Sequence, residues 1–208
     1  GFKRGIATPC AFFHKVRNIR IVVHGDDFTV LGREGDLDWF RGKIQGKYEI
    51  KGERIGPGPE DKKSARILNR IVEWDTEGIQ YEPDQRHAEI MVQMLGLEKE
   101  KARGVGTPGL KGKVEEGSED RKLGKEEGTL YRALVARGNY LTQDRTDIQF
   151  AVKELARKMS DPSEADWTAL KRLGRYLIGN SRFRQKFGYQ GENGEITVWT
   201  DTDYAGCL

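Results

Sequence analysis

The chain has 208 residues, room for one sizeable domain or two small ones. Hydrophobic residues make up 36% and charged residues 33%, which suggests a thin or divided core, a long solvated segment or a piece of something larger, and no run of about 18 apolar residues exists to span a membrane. A net charge of +3 permits nucleic-acid binding without arguing for it, and Cys10 and Cys207, at opposite ends without metal-ligand spacing, read as free thiols.

Ala11-Phe12-Phe13-His14 is a short aromatic run, expected to form a strand antiparallel to Arg20–Val23. Arg20 to His24 reads as a strand rich in β-branched residues, and Phe28 to Leu31 as its return. Between them stand Gly25, Asp26 and Asp27, residue types that tolerate the backbone of a tight turn. Two adjacent carboxylates are thereby expected at an exposed hairpin tip. They repel each other, and a hard divalent cation with oxygen ligands relieves that repulsion. The alternative reading of the same residues is a solvated surface turn.

Asp36 is expected to cap a helix whose Leu37, Phe40 and Ile44 share one face. Tyr48-Glu49-Ile50 reads as a further strand, and Gly56-Pro57-Gly58-Pro59 as a breaker. Ile67 to Trp74 and Ile79 to Tyr81 form a hairpin around Asp75–Gly78. A helix follows, with Ile90, Met91, Met94 and Leu95 on one face and Gly96 as its stop. The stretch 98–128 is rich in Lys, Glu and Gly and reads as a solvated linker without a fixed fold.

From Leu130 the pattern is helical. Leu130, Leu134 and Leu141 form a stripe. Asp147 is expected to cap a helix that turns Ile148, Ala151, Val152, Leu155, Ala156 and Met159 inward. Ser163 and Asp166 have capping-box spacing for a third helix, with Leu170, Leu173, Tyr176 and Leu177 buried. Arg172 and Arg175 lie beside that stripe, where a basic edge can meet a nucleic-acid backbone or simply face solvent. Phe187–Tyr189 and Ile196–Thr200 read as strands around a Gly-rich turn.

The apolar strand, Asp26-Asp27 pair and apolar return resemble the palm motif of reverse transcriptases, usually Tyr-x-Asp-Asp, with His24 in the Tyr place. Gly25-Asp26-Asp27 alone also resembles the motif of viral RNA-dependent RNA polymerases. Later segments separate the two. Ile79–Gln85 with Thr107-Pro108, Tyr131–Val135, Tyr140-Leu141-Thr142, Arg145–Ile148, Pro162 and Lys171–Leu177 resemble, in order, copia-type retrotransposon polyproteins. Thr200–Gly206 is similar to the opening strand of that family's ribonuclease H domain. The departures are His24, the Arg137-Gly138-Asn139 stretch where the family has a Gly-Ser pair, and Thr146 where it has Pro.

The resemblance implies an α+β fold: a partial palm and thumb over 1–97, a linker over 98–128, a helical connection over 129–180 and the first strands of a ribonuclease H-like domain over 181–208. It implies RNA-directed DNA polymerase chemistry with Mg2+ or Mn2+, Asp26 and Asp27 serving as catalytic metal ligands, and Asp201 as the first ribonuclease H ligand. The implied partners are a primed RNA or DNA template, deoxynucleoside triphosphates and other segments of the same polyprotein, with no membrane. The implied setting is a cytoplasmic virus-like particle, with the nucleus as alternative. A third palm carboxylate and the fingers are expected upstream of Gly1, so the 208 residues are expected to be inactive alone. The competing functions are a non-catalytic nucleic-acid-binding remnant, a viral RNA-dependent RNA polymerase palm fragment, and an acidic-hairpin cation-binding or structural module unrelated to nucleic acid.

Overall fold

The computed structural model describes residues 1–98, 102–110, 121–191 and 197–200. The chain divides into two compact units, Gly1–Glu53 and Arg54–Leu208. The divided core that composition allowed is therefore present. No helix among the described residues is long and apolar enough to cross a membrane.

The first unit is an antiparallel sheet in sequential order, β1 (Lys3–Arg4), β2 (Ala11–His14), β3 (Ile19–His24) and β4 (Asp27–Leu31), followed by helix α1 (Glu34–Gln45). Alternation along β3 sends Ile19 and Ile21 inward, both buried, and Arg20, Val22 and His24 outward. Gly32 brings the chain close to both Ile19 and Leu37, and Leu37, Phe40 and Ile44 form the half-buried face of α1. Aromatic edges complete this small core: the Phe2 ring meets His14 at 5.0 Å and Phe40 at 5.8 Å, and His14 meets Trp39 at 5.5 Å. Arg17 stacks 4.2 Å from the Trp39 ring and donates to Asp36 at 2.9 Å. Asp36 is thus not the cap. The helix begins two residues earlier behind Arg33, and Asp36 serves its first turn and the Arg17 pair. Tyr48-Glu49-Ile50 forms no strand; the chain bends there with no neighbouring strand to pair.

The second unit carries β5 (Ser64–Ile67), β6 (Arg70–Trp74), β7 (Gly78–Glu82), α2 (Arg86–Met94), α3 (Lys125–Leu141), a 3-10 turn (Thr146–Ile148), α4 (Gln149–Ala156), α5 (Glu164–Gly179) and β8 (Gln185–Gly188). Ile67 to Trp74 is not one strand. Leu68 and Asn69 both adopt positive φ and fold it into a two-residue hairpin between β5 and β6. Asp75 closes the next turn by accepting from the Glu77 and Gly78 amides at 2.7 and 2.9 Å. Gln185–Gly188 does not open a sheet of its own: it pairs antiparallel with β7 as the fourth strand of the sheet β5-β6-β7-β8. Val198, Trp199 and Thr200 form no strand, and the part of that expectation at Ile196 lies outside the described residues.

The helical core gathers Ala88 and Met91 of α2, Leu95, Tyr131, Leu134, Val135 and Leu141 of α3, Ile148, Val152 and Leu155 around α4, and Leu170, Leu173 and Leu177 of α5. Met94 is left 43% exposed because the buried stripe of α2 runs through Ala88 instead. Gly174 lets α2 and α5 close up, since a Cβ there would lie 2.6 Å from Leu95 Cδ1. Ser163 forms the expected capping box, its Oγ accepting from the Asp166 amide and its own amide donating to Asp166 at 3.0 Å. Within 98–128, residues 102–110 have neither helix nor strand, α3 already starts at Lys125, and Leu123 packs on the core. Residues 99–101 and 111–120 lie outside the described residues.

Asp147 does not cap α4, whose first residue follows Ile148 without a side-chain cap. It forms a fork with Arg145, at 2.9 and 2.7 Å, and accepts from the Tyr176 hydroxyl at 3.0 Å. Arg145 is 2% exposed, so its charge has exchanged water for this carboxylate. Burial alone would raise the Asp147 carboxyl, but Arg145 and Tyr176 outweigh it and hold the group below its usual range. A depressed folded-state value means stability present above the unfolded carboxylate range and lost as pH falls through the folded one. Asp147→Asn is expected to cost about 3 kcal/mol in urea unfolding at neutral pH, by leaving Arg145 unpaired. The same variant is expected to lose stability less steeply than the parent below about pH 4.

The β3–β4 turn gives a second expectation. Gly25 has φ of +61° and Asp26 does not share it, the pattern of a two-residue turn with Gly at its first central position. Nothing lies within 4 Å of the space a Gly25 side chain would fill, so strain alone decides the effect of substitution. Gly25→Ala is expected to destabilise the first unit by about 1–2 kcal/mol, while Asp26→Asn stays within about 0.5 kcal/mol, both read from denaturant unfolding.

Candidate functional site

The hairpin tip is built by its rungs. Arg20↔Leu31, Ile21↔Val30, Val22↔Thr29, Val23↔Phe28 and His24↔Asp27 pair in unbroken register, so the two strands hold each other up to the last residue before the turn. The turn itself is only Gly25 and Asp26, because Gly25 closes it in two residues; Asp27 already belongs to β4. His24 and Asp27 share the closing rung and project to one face of the sheet. Asp26, Asp27 and His24 are all exposed. Among the described residues neither carboxylate has a hydrogen-bond or ion-pair partner.

Two neighbouring carboxylates without a local cation form a site of concentrated negative charge. A hard divalent ion takes one or two carboxylates and completes its shell with water and phosphate oxygens, so the pair fits part of such a shell. Other acidic residues are engaged elsewhere: Asp36 with Arg17, and Asp75 with its own turn and the Gln80 amide at 2.9 Å. Among the described residues no group of three or more His, Cys, Asp or Glu side chains could hold a metal. Asp201 lies outside the described residues.

Arg172 and Arg175 are half-buried on α5, three residues apart. Arg172 donates to Thr107 Oγ1 at 2.8 Å and Arg175 to the Arg103 carbonyl at 2.9 Å. Both side chains therefore hold the 102–110 segment.

The second unit holds other polar clusters that no local spacing announces. Buried Glu82 accepts from Arg182 at 2.8 and 3.0 Å and from Arg184 at 3.0 Å; Arg182 first, then Arg184, hold its carboxyl below the usual range against burial. Asp144 accepts from Arg70 at 2.7 Å and from the Tyr81 hydroxyl at 2.7 Å; burial and that carboxylate push Tyr81 up to about 12. His87 receives a hydrogen bond from Arg137 at 2.9 Å, and burial followed by the Arg137 charge pushes its imidazole below the usual range. The partners in these clusters are 50 to 102 positions apart in sequence, except for residues of one turn or strand, so pattern reading has no access to them.

No family model matches the chain, and no solved structure matches it. Three relatives from Arabidopsis thaliana do. The chain is 34% identical over 77 residues to an uncharacterised mitochondrial protein, AtMg00810, a match covering 37% of this chain and 32% of that protein. It is 36% identical over 78 residues to the retrovirus-related Pol polyprotein from transposon RE2, and 37% identical over 78 residues to that from transposon RE1. Each of these matches covers 38% of this chain and 5% of the polyprotein. The chain thus spans about a third of the first relative's length and a twentieth of the other two. Over a little more than a third of its own length, this chain is a homologue of retrotransposon Pol polyproteins.

Proposed function

We propose that this chain is part of the reverse-transcriptase region of a copia-type Pol polyprotein, in which Asp26 and Asp27 hold the catalytic metal. The observation that supports the reading most directly is the two-residue turn, which sets two exposed, adjacent carboxylates on the end of a fully paired hairpin. The Pol relatives supply the context in which such a turn has chemistry. The reaction is RNA-directed DNA synthesis on a primed RNA or DNA template, with deoxynucleoside triphosphates as substrates. Magnesium or manganese, when bound, supplies charge stabilisation for the transferred phosphoryl group and activates the primer hydroxyl. Asp26 is the principal ligand and Asp27 supports it. His24, opposite Asp27, is a packing or surface residue of the strand rather than a base, since a metal already activates the hydroxyl.

The reading makes a two-sided prediction in a magnesium-dependent primer-extension assay on an RNA template. The 208 residues alone are expected to give no extension, because two carboxylates are only part of a two-metal ligand set. A chain extended upstream in an intact reading frame is expected to extend the primer. In that longer chain Asp26→Asn should lower the rate on the order of 100-fold or more, because the cation that would stabilise the phosphoryl charge loses a charged ligand, while Asp203→Asn, in the ribonuclease H-like stretch Thr200–Gly206, should leave it nearly unchanged. Robust extension by the 208 residues would refute the incompleteness, and an active Asp26→Asn variant would remove the site.

A further inference from the structure

Residues 102–110 contain no helix or strand, yet the segment is fastened along the helical body at four points. Arg175 Nε donates to the Arg103 carbonyl at 2.9 Å. Gly104 runs so close to the end of α5 that a Cβ there would lie 3.5 Å from Gly179 Cα. Arg172 Nη2 donates to Thr107 Oγ1 at 2.8 Å, and a Cβ on Gly109 would meet Ala151 of α4 at 3.4 Å.

The Arg172 contact is half of a larger grip. In a guanidinium, Nε–H and the neighbouring Nη2–H point along one edge and suit two oxygens of a single carboxylate or phosphate. Here Nη2 has the Thr107 hydroxyl, while Nε is buried and has no hydrogen-bond partner among the described residues. Burying a donor without a partner is costly, and a lone hydroxyl oxygen satisfies only one arm of the fork. Thr107 itself is exposed, and because it accepts from Arg172 its own hydroxyl hydrogen is not consumed by that bond. Pro108 follows directly, which biases Thr107 toward an extended backbone. An exposed, extended Ser or Thr followed by Pro is the chemistry that proline-directed protein kinases accept.

We propose that Thr107 is a phosphorylation site whose phosphate is received by the Nε–Nη2 edge of Arg172. In the step, Thr107 Oγ forms a bond to the γ-phosphorus of a nucleoside triphosphate. The bond from that phosphorus to the β,γ-bridging oxygen breaks, the nucleoside diphosphate leaves, and the hydroxyl proton passes to the kinase's base. The product monoester carries three acceptor oxygens where one hydroxyl stood. Its charge pairs with Arg172, Nε gains an acceptor, and the 102–110 segment is locked onto α5. The site is separate from the Asp26-Asp27 turn and does not depend on polymerase chemistry.

The test uses the 208-residue chain, a proline-directed Ser/Thr kinase with magnesium ATP, and a free peptide of residues 102–110 as reference. Mass mapping is expected to find phosphate on Thr107 and none there in Thr107→Val. In 31P NMR the phosphothreonine of the folded chain is expected to lose its second proton at least about half a unit below the peptide's, because Arg172 favours the dianion. That lowering should vanish in Arg172→Gln and be reduced in Arg172→Lys, which keeps the charge but not the fork. Trypsin cleavage after Arg103 should slow several-fold on phosphorylation in the parent and not in Arg172→Gln. Circular dichroism reports whether the Arg172 variants keep their helices, and the chain-against-peptide comparison stands without them. Failure of the chain or the peptide to take phosphate at Thr107 overturns the site. Equal ionisation in chain and peptide, or a folded Arg172→Gln that behaves like the parent, overturns the role of Arg172.

Discussion

The second unit depends on one buried charge. Arg145 sits in the connection between α3 and α4 with almost no solvent contact, and what compensates it is partly local and partly from distant elements. Asp147 supplies the fork from the 3-10 turn, Tyr176 reaches Asp147 from α5, and the Phe183 ring lies 4.9 Å from the guanidinium on the way to β8. A buried ion pair contributes little net stability compared with apolar packing, but a misplaced partner leaves a bare charge in the interior. The pair therefore penalises wrong arrangements of α3, α4, α5 and the segment leading to β8 more than it rewards the right one. Glu82 with Arg182 and Arg184 makes the same kind of demand at the end of β7. Arg182, Phe183 and Arg184, which follow α5, are held by these two clusters, and β8 next to them pairs with β7.

Local pattern was enough for the elements that are decided locally. The aromatic strand, the Asp-Asp hairpin and the Ser163 capping box are set by residues within a few positions of one another, and each stands where alternation, turn chemistry or cap spacing puts it. Errors arise where a distant partner decides. Asp147 has the composition of a cap, but Tyr176 of α5, together with the neighbouring Arg145, competes for it and wins. Phe187–Tyr189 reads as the start of a new sheet because the partner of the strand there, β7, lies about a hundred residues earlier. Leu68-Asn69 is a different failure. An Asn without a following Gly, preceded by a Leu at positive φ, is a weak turn signal, and the apolar residues on either side read through it. At the candidate site, pattern gave the identity of the carboxylates and their place at the tip, but assigned Asp27 to the turn instead of to β4.

The two units handle their charged residues differently. In the second, acidic and basic side chains are paired across elements and hold the packing. In the first, the core is a small set of aromatic edges around Ile19 and Ile21, the outer sheet face leaves Val22 50% and Leu31 64% exposed, and the tip carboxylates are not neutralised. Asp26 in the turn and Asp27 at the start of β4 leave two like charges side by side at the tip. The rungs beneath the turn fix their spacing, and neither carboxylate has an ion-pair partner among the described residues.

The residues that carried the likeness to retrotransposon polyproteins divide in the same way. Tyr131, Leu134 and Val135 are core, and Tyr131 donates to the Leu155 carbonyl at 2.8 Å. Arg145 and Asp147 are the buried pair, and Leu173, Gly174, Tyr176 and Leu177 form the inner side of α5. These positions specify a packing arrangement, so similarity carried by them argues for a shared fold and is silent about catalysis. Asp26 and Asp27, to which the proposed function assigns chemistry, contribute nothing to a core. The functional reading therefore rests on two exposed residues, and the fold relationship rests on many buried ones. Substitution of either carboxylate tests activity alone, because removing it takes away no packing that the first unit needs.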